Sequence, residues 1–360
     1  MSSRFTRDGS AALEARLATI CRDTTKRLRN RLPPSILEGI ALGGGYGRGE
    51  GGVFKTATGD APYNDVEFFV FVSGPLLLQQ QRWGKTLQQT AHELTEDYGI
   101  EIEFKMLTLA KLRRSPTSMF YYDLVMGHRW ALGDDSLLTG CEHHRDSSKI
   151  PLHEATRLLM NRSSGLLFAK QRLTKDIFTD EDRDFVARNL AKAQLALGDV
   201  LLAAHGYYHW SCLERRKRLI ALDLPLVSAL NLIPHHTAGV MFKLHPTVSQ
   251  APREELAALH HTLTQATRSL FLWLESRRLR HPFTTTASYL DSNLDKCPET
   301  DPLRNRLINA RQFGFRALSD TRYPRQRLLH GLCELLWEDP SSEPTSIDIQ
   351  EYERLWHHFN

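Results

Sequence analysis

Cysteine is scarce and scattered in this 360-residue chain: Cys21, Cys141, Cys212, Cys297 and Cys333 form an odd set with no CxxC spacing. That excludes a disulfide framework and a cysteine zinc site, and it points to a reducing compartment such as the cytosol. No apolar signal core follows Met1, and no run of 18 apolar residues occurs, so no membrane span is expected. Charge of one sign is also lacking. Forty-six Lys and Arg against 42 Asp and Glu leave +4, too little to define a nucleic-acid binder. What is present in quantity is apolar sequence, 41% of residues, enough to bury a core in about two domains.

The first third reads as a small mixed α/β unit. An amphipathic helix is expected over about 10–31, with Leu13, Leu17, Ile20 and Leu28 on one stripe, ended by Pro33 and Pro34. A short strand, 36–42, runs into a stretch with seven glycines in ten residues, 43–52. Such a run demands unusual backbone angles or close approach of the chain to a ligand. A polar loop, 56–64, precedes a strand apolar on both faces, as a central strand is. A helix over 77–98 closes at Gly99, and Ile102, Phe104 and Met106 alternate along the next strand.

Beyond about residue 150 helical periodicity takes over, over 152–171, 181–205, 251–279, 302–318 and 324–338. Val186, Leu190, Ala193, Leu197, Val200 and Leu201 line one side of such a helix. Segment 339–348, rich in Pro and Ser, reads as a linker to a terminal helix. The expected architecture is α+β, with a small mixed-sheet domain at 1–145 and a mostly α-helical bundle at 146–360.

The chemistry concentrates in Leu42-Gly43-Gly44-Gly45-Tyr46-Gly47-Arg48-Gly49-Glu50 and Asn64-Asp65-Val66-Glu67. Asp65 and Glu67 project from one face of a strand, and two adjacent carboxylates attract a divalent cation that neutralises both. Glu101 and Glu103 share a face of the next strand. If the strands are neighbours, one of them completes a three-acid site for two Mg²⁺ or Mn²⁺ ions. The glycines bring backbone N–H groups close to phosphate, and Arg48 adds a bidentate cation.

A strand, a Gly-Gly turn, paired acids on a following strand and an acid on a later one resemble the DNA polymerase β nucleotidyltransferase superfamily, over residues 36–107. Gly44 and Gly45 match the turn, Asp65 and Glu67 the paired acids, and Glu103 the third acid, with Glu101 as the fallback. The resemblance implies an enzyme that moves a nucleoside monophosphate, AMP first, from an NTP such as ATP to a hydroxyl acceptor and releases pyrophosphate. It implies that Asp65, Glu67 and Glu103 are catalytic and hold the metals, while Gly44, Gly45 and Arg48 hold phosphate. It also implies a helical domain closing the nucleotide cleft, with Lys192 and Tyr207 touching the nucleotide. Three features depart from the pattern. The gap from Gly45 to Asp65 implies an insertion near 51–62, Gly45 stands where many members have Ser, and the second and third acids are Glu. A small molecule or a protein ranks first as acceptor. A tRNA-modifying toxin-like enzyme and a non-catalytic nucleotide sensor are the alternatives. The first would need a basic groove beside the acids, the second a third acid that points away.

Other motifs carry less. Gly47-Arg48-Gly49-Glu50-Gly51-Gly52 fits G-x-G-x-x-G, but Gly59 and Pro62 deny it the helix a dinucleotide site needs. Gly84-Lys85-Thr86 has Gln79 where a P-loop has its first glycine. Adjacent histidines, as in His143-His144, His235-His236, His260-His261 and His357-His358, point apart and rarely chelate one ion. The run Arg215-Arg216-Lys217-Arg218 reads as a solvated helix end.

Overall fold

A computed structural model describes residues 4–337 and 347–360. Most of the expected 339–348 linker therefore lies outside the described residues. The fold is α+β and divides into two compact units, one of residues 1–150, 205–221 and 240–247, the other of 151–204, 222–239 and 248–360. The first unit is thus discontinuous: two later segments join the N-terminal part that the sequence delimits near residue 145.

In the first unit the elements run α1 (Ala11–Arg31), β1 (Leu37–Leu42), α2 (Gly44–Gly47), β2 (Val53–Thr56), β3 (Gly59–Pro62), β4 (Val66–Val72), α3 (Leu76–Tyr98), β5 (Ile102–Leu107), α4 (Leu109–Arg114), α5 (Met119–Gly127) and β6 (Arg129–Leu132). Ser10 caps α1 by accepting from the Leu13 N–H, and Gly99 ends α3 in the left-handed region at φ 60°. The main sheet has the order β5-β4-β1-β6, with β4 and β5 parallel and β1 antiparallel to both β4 and β6.

β4 is central and buried on both faces, and its two side-chain sets enter different cores. Val66, Phe68, Val70 and Val72 pack with Leu13, Leu17 and Ile20 of α1 and Leu87 and Leu94 of α3. Phe69 and Phe71 pack with Leu109 and Leu112 of α4 and Leu124 and Val125 of α5. Burying one such side chain is worth about 1.5–3 kcal/mol, so a one-residue slip of β4 would exchange both cores at prohibitive cost. The register that places the acids is therefore fixed by apolar packing. The polar stretch expected as a loop over 56–64 instead holds the β2–β3 hairpin, which fills the inferred insertion. Asp60 ties it down by accepting from the Ser10 N–H at 2.6 Å and the Lys55 ammonium at 2.7 Å.

After β6 the chain continues through α6 (Leu152–Leu173), α7 (Asp180–Ala204), α8 (Cys212–Ile220), α9 (Pro225–Ala229), α10 (Leu232–Leu244), α11 (Arg253–Leu279), α12 (Thr286–Leu290), α13 (Pro302–Phe313), α14 (Arg325–Leu332) and α15 (Ile349–Phe359). The second unit is built of helices, and the six apolar residues expected to line α7 are all buried. α13 stops at Phe313, short of the expected 318, because Gly314 turns to φ 89°. Among the described residues no helix is long and apolar enough to cross a membrane.

Candidate functional site

The glycine run is a tightly packed corner. Gly43 donates to the Glu67 carbonyl at 2.8 Å, which ties the end of β1 to the strand bearing the acids. Gly44 sits at φ +58°, and a Cβ there would lie 2.7 Å from Glu67 Oε2, so the bare backbone faces the carboxylate. Gly47 serves the fold, since a Cβ would meet the Leu42 carbonyl at 2.3 Å.

Tyr46, between these glycines, holds the corner to the acid strand. Its buried hydroxyl accepts from the Tyr63 and Asn64 N–H groups at 3.0 and 3.3 Å and donates to the Gly52 carbonyl at 3.1 Å. Burial pushes that phenol up to about 12, so it stays a neutral donor. Asn64 Oδ1 accepts from the Gly52 N–H at 3.2 Å and closes the link immediately before Asp65.

The parallel register sets Glu67 directly opposite Glu103. One carboxylate oxygen from each of Asp65, Glu67 and Glu103 lies within 4.8 Å of the others. Glu103, rather than Glu101, is the third member of that cluster. Asp65 and Glu103 are exposed and Glu67 is half-buried, on the sheet face that continues into Phe69 and Phe71. Desolvation first, then the charges of Glu67, Glu103 and Glu101, raise the Asp65 carboxyl above its ordinary value, while Lys105 opposes them. Lys105 follows Glu103 by two on β5. Its ammonium stands 2.6 Å from Glu67 Oε1 and 3.2 Å from Glu103 Oε2. Three hard oxygen donors carrying an excess of negative charge fit a divalent cation such as Mg²⁺ or Mn²⁺, with Lys105 as the resident counter-charge.

Gly45 packs against the Glu50 carbonyl within the corner. Arg48 Nη1 pairs with Asp123 Oδ2 at 3.2 Å, and Gly127 leaves room for its stem. Tyr207 is 53% exposed, and its carbonyl accepts from Arg218. Its neighbour Tyr208 is buried and donates to Asp123 at 3.2 Å. Lys192 is an exposed residue of α7, in the second unit. Arg215, read as part of a solvated run, is buried and donates to the carbonyls of His209 and Trp210 at 2.7 and 3.2 Å.

Composition and motif overlooked several residues that organise this unit. Glu50 is 6% exposed and accepts from the Ser211 hydroxyl and from the Cys212 N–H at 2.8 Å, capping α8. Burial works against its charge, but these bonds hold its carboxyl below the usual range. Asp123 is the lone charge in the apolar helix α5, which was a legible signal. Burial raises its carboxyl, against the charges of Arg48, Arg215 and Lys243. Lys105 was legible as well, sharing strand parity with Glu101 and Glu103. Tyr46 was not, because a tyrosine among glycines gives no hint of what its hydroxyl reaches.

The paired histidines serve structure. His144 and His260 bond backbone carbonyls at 2.9 and 2.8 Å, and His236 bonds Asp199 at 2.9 Å. No protein-family model matches this chain, and no curated protein matches it either.

Proposed function

We propose that the first unit is a metal-dependent nucleotidyltransferase domain of the polymerase β type, moving a nucleoside monophosphate from an NTP to a hydroxyl acceptor. One observation carries this reading: three carboxylates from two adjacent parallel strands converge within 4.8 Å, beside a glycine corner hydrogen-bonded to the same strand. Like charges so close raise each other's proton affinity, and they persist at neutral pH most readily where a cation shares them.

Asp65 and Glu67 would hold the cation, and Glu103 would complete the ligand set. A bound divalent metal supplies charge neutralisation on the phosphates and acidifies the acceptor hydroxyl. Gly44 and Gly45, in the first turn of α2, offer backbone N–H groups that a helix leaves without internal partners. The missing side chains let Gly44 lie against the Glu67 carboxylate and Gly45 against the Glu50 carbonyl, which fixes where these amides stand. The acceptor oxygen forms a bond to the α-phosphorus as the bond to the pyrophosphate oxygen breaks. The acceptor's proton passes to Glu103 and then to solvent. Lys105, paired with Glu67 and Glu103, offsets part of the negative charge that the three converging carboxylates accumulate.

The test incubates the full chain with each α-labelled NTP, Mg²⁺ and cell extract, and asks which fraction takes up label. ATP is expected to give transfer, and Asp65→Ala to cut the rate by about 10³-fold or more, roughly 4 kcal/mol of barrier. Nucleotide binding without label transfer in any fraction would instead support a sensor of the same fold.

A further inference from the structure

A cavity of the first unit, about 1060 Å³, lies beside the glycine corner and is lined by none of the three acids. Sheet order explains the separation. The acids stand on β4 and β5, the corner leaves β1, and the cavity opens along β6 on the other side of β1. With strands about 4.8 Å apart, two strand spacings put it on the order of 10 Å from the acids.

Its lining is cationic and aromatic. Arg4, Arg7, Arg48 and Arg129 approach from the N-terminal segment, the glycine corner and β6, and Arg216 and Lys217 from α8. Four carboxylates also line it, and each already has a task. Glu50 caps α8. Asp134 accepts from the Ser136 N–H at 2.9 Å, and Asp135 from the Trp130 indole at 2.8 Å. Glu214 pairs with Lys217 at 3.6 Å and Arg218 at 3.4 Å. Arg7 and Arg216, by contrast, have no ion-pair or hydrogen-bond partner among the described residues. Arg216 is half-buried besides, so its guanidinium stays near the cavity with its charge uncompensated. Two partly exposed indoles, Trp130 and Trp210, supply flat apolar walls.

From this lining we infer that the cavity binds a nucleotide: a phosphate on Arg216 and Arg7, and a planar base against Trp130 or Trp210. Guanidinium forks match phosphate oxygens bidentately, and indole faces stack on any base for about 1–3 kcal/mol. A volume near 1000 Å³ accommodates a mononucleotide or the terminal nucleotide of an oligonucleotide. Such a ligand binds whether or not the acids act on an NTP. Where they do, its place beside the glycine corner makes it the acceptor.

The test uses the full-length protein in EDTA, so that metal-dependent binding at the acids is silenced. AMP and a 5′-phosphorylated hexaribonucleotide are titrated separately by calorimetry, with quenching of tryptophan fluorescence as a second readout. Binding by at least one of them is expected, weakened at least tenfold by Arg216→Gln and by Trp210→Leu and unchanged in Asp65→Asn. Arg216 has no partner to lose, so its variant keeps the fold and carries the test if Trp210→Leu does not. Equal affinity for both probes marks a free nucleotide as the ligand, and preference for the hexamer marks an RNA end. Binding of neither probe overturns the inference, as does binding that survives both cavity variants or vanishes in Asp65→Asn. A transferase that labels an acceptor yet fails this titration would lose the cavity and keep the acids. A protein that binds the probe but transfers nothing would do the reverse.

Discussion

Two carboxylate sites in this molecule obey opposite rules. In the second unit Glu275 is fully buried and fully satisfied. It accepts from the Thr156 hydroxyl at 2.7 Å, the Arg278 guanidinium at 2.8 and 2.6 Å and the Tyr289 hydroxyl at 3.0 Å. In the first unit Asp65 and Glu103 are exposed and Glu67 is half-buried; the three crowd one another, and Glu67 and Glu103 share one ammonium. A buried charge must collect every bond it can, because nothing else repays its desolvation. An exposed cluster has no such need, so its crowding is a standing cost that packing does not require. The first arrangement holds a fold together, while the second is the one on which the proposed cation site rests.

The sharpest way to break this contrast is Glu275→Ala. It leaves Arg278 with only the Lys296 carbonyl and Glu299, strands two hydroxyls in the core, and is expected to destabilise the second unit by about 3–5 kcal/mol in urea unfolding. Metal binding by the first unit should not change. Gly44→Ala forces a Cβ against Glu67 at a left-handed backbone angle. About 1–2 kcal/mol of stability should be lost, and Mn²⁺ affinity should fall with it. If that variant binds Mn²⁺ like wild type, the corner does not set the Glu67 carboxylate. Lys105→Met removes the competing ammonium and is expected to tighten Mn²⁺ binding by about tenfold, measured by calorimetry. A weaker site would show instead that Lys105 positions the acids.

The smallest effect concerns protons. The folded protein takes up a proton on Asp65 at higher pH than the unfolded chain does, so ionised Asp65 costs stability at neutral pH. That cost sets in as pH rises through the window between the two values and is relieved below it. Asp65→Asn should therefore raise the melting temperature of the metal-free protein by roughly 1–2 °C, kept small by solvent screening. Divalent-ion affinity should drop as pH falls through the raised value of Asp65.

Period and parity made much of this legible in advance. The alternation along β4 and β5 disclosed both cores, and with them the parity that sends Asp65, Glu67 and Glu103 to one side. The 3.6-residue stripe of α7 did the same for a helix. What stayed hidden depended on contacts between residues far apart in the chain. The β2–β3 hairpin lacks strong strand formers and is pinned by Asp60 reaching Ser10. The segment 205–221 joins the first unit through Glu50, 161 residues before the Ser211 it holds. Arg48 sits among glycines, and nothing local announces its pairing with Asp123, 75 residues away. Local pattern reports which face a side chain takes, and it says little about which distant group has already claimed it.

Manganese titration followed by electron paramagnetic resonance tests the central claim most directly, because free Mn²⁺ gives the signal and bound Mn²⁺ loses it. The wild-type chain with ATP is expected to deplete free Mn²⁺ by up to two ions per chain, as in other two-metal sites. Asp65→Asn with Glu67→Gln should leave the signal that of protein-free buffer with ATP. Equal depletion by the wild type and the double variant would contradict the account, since these acids would then hold no metal.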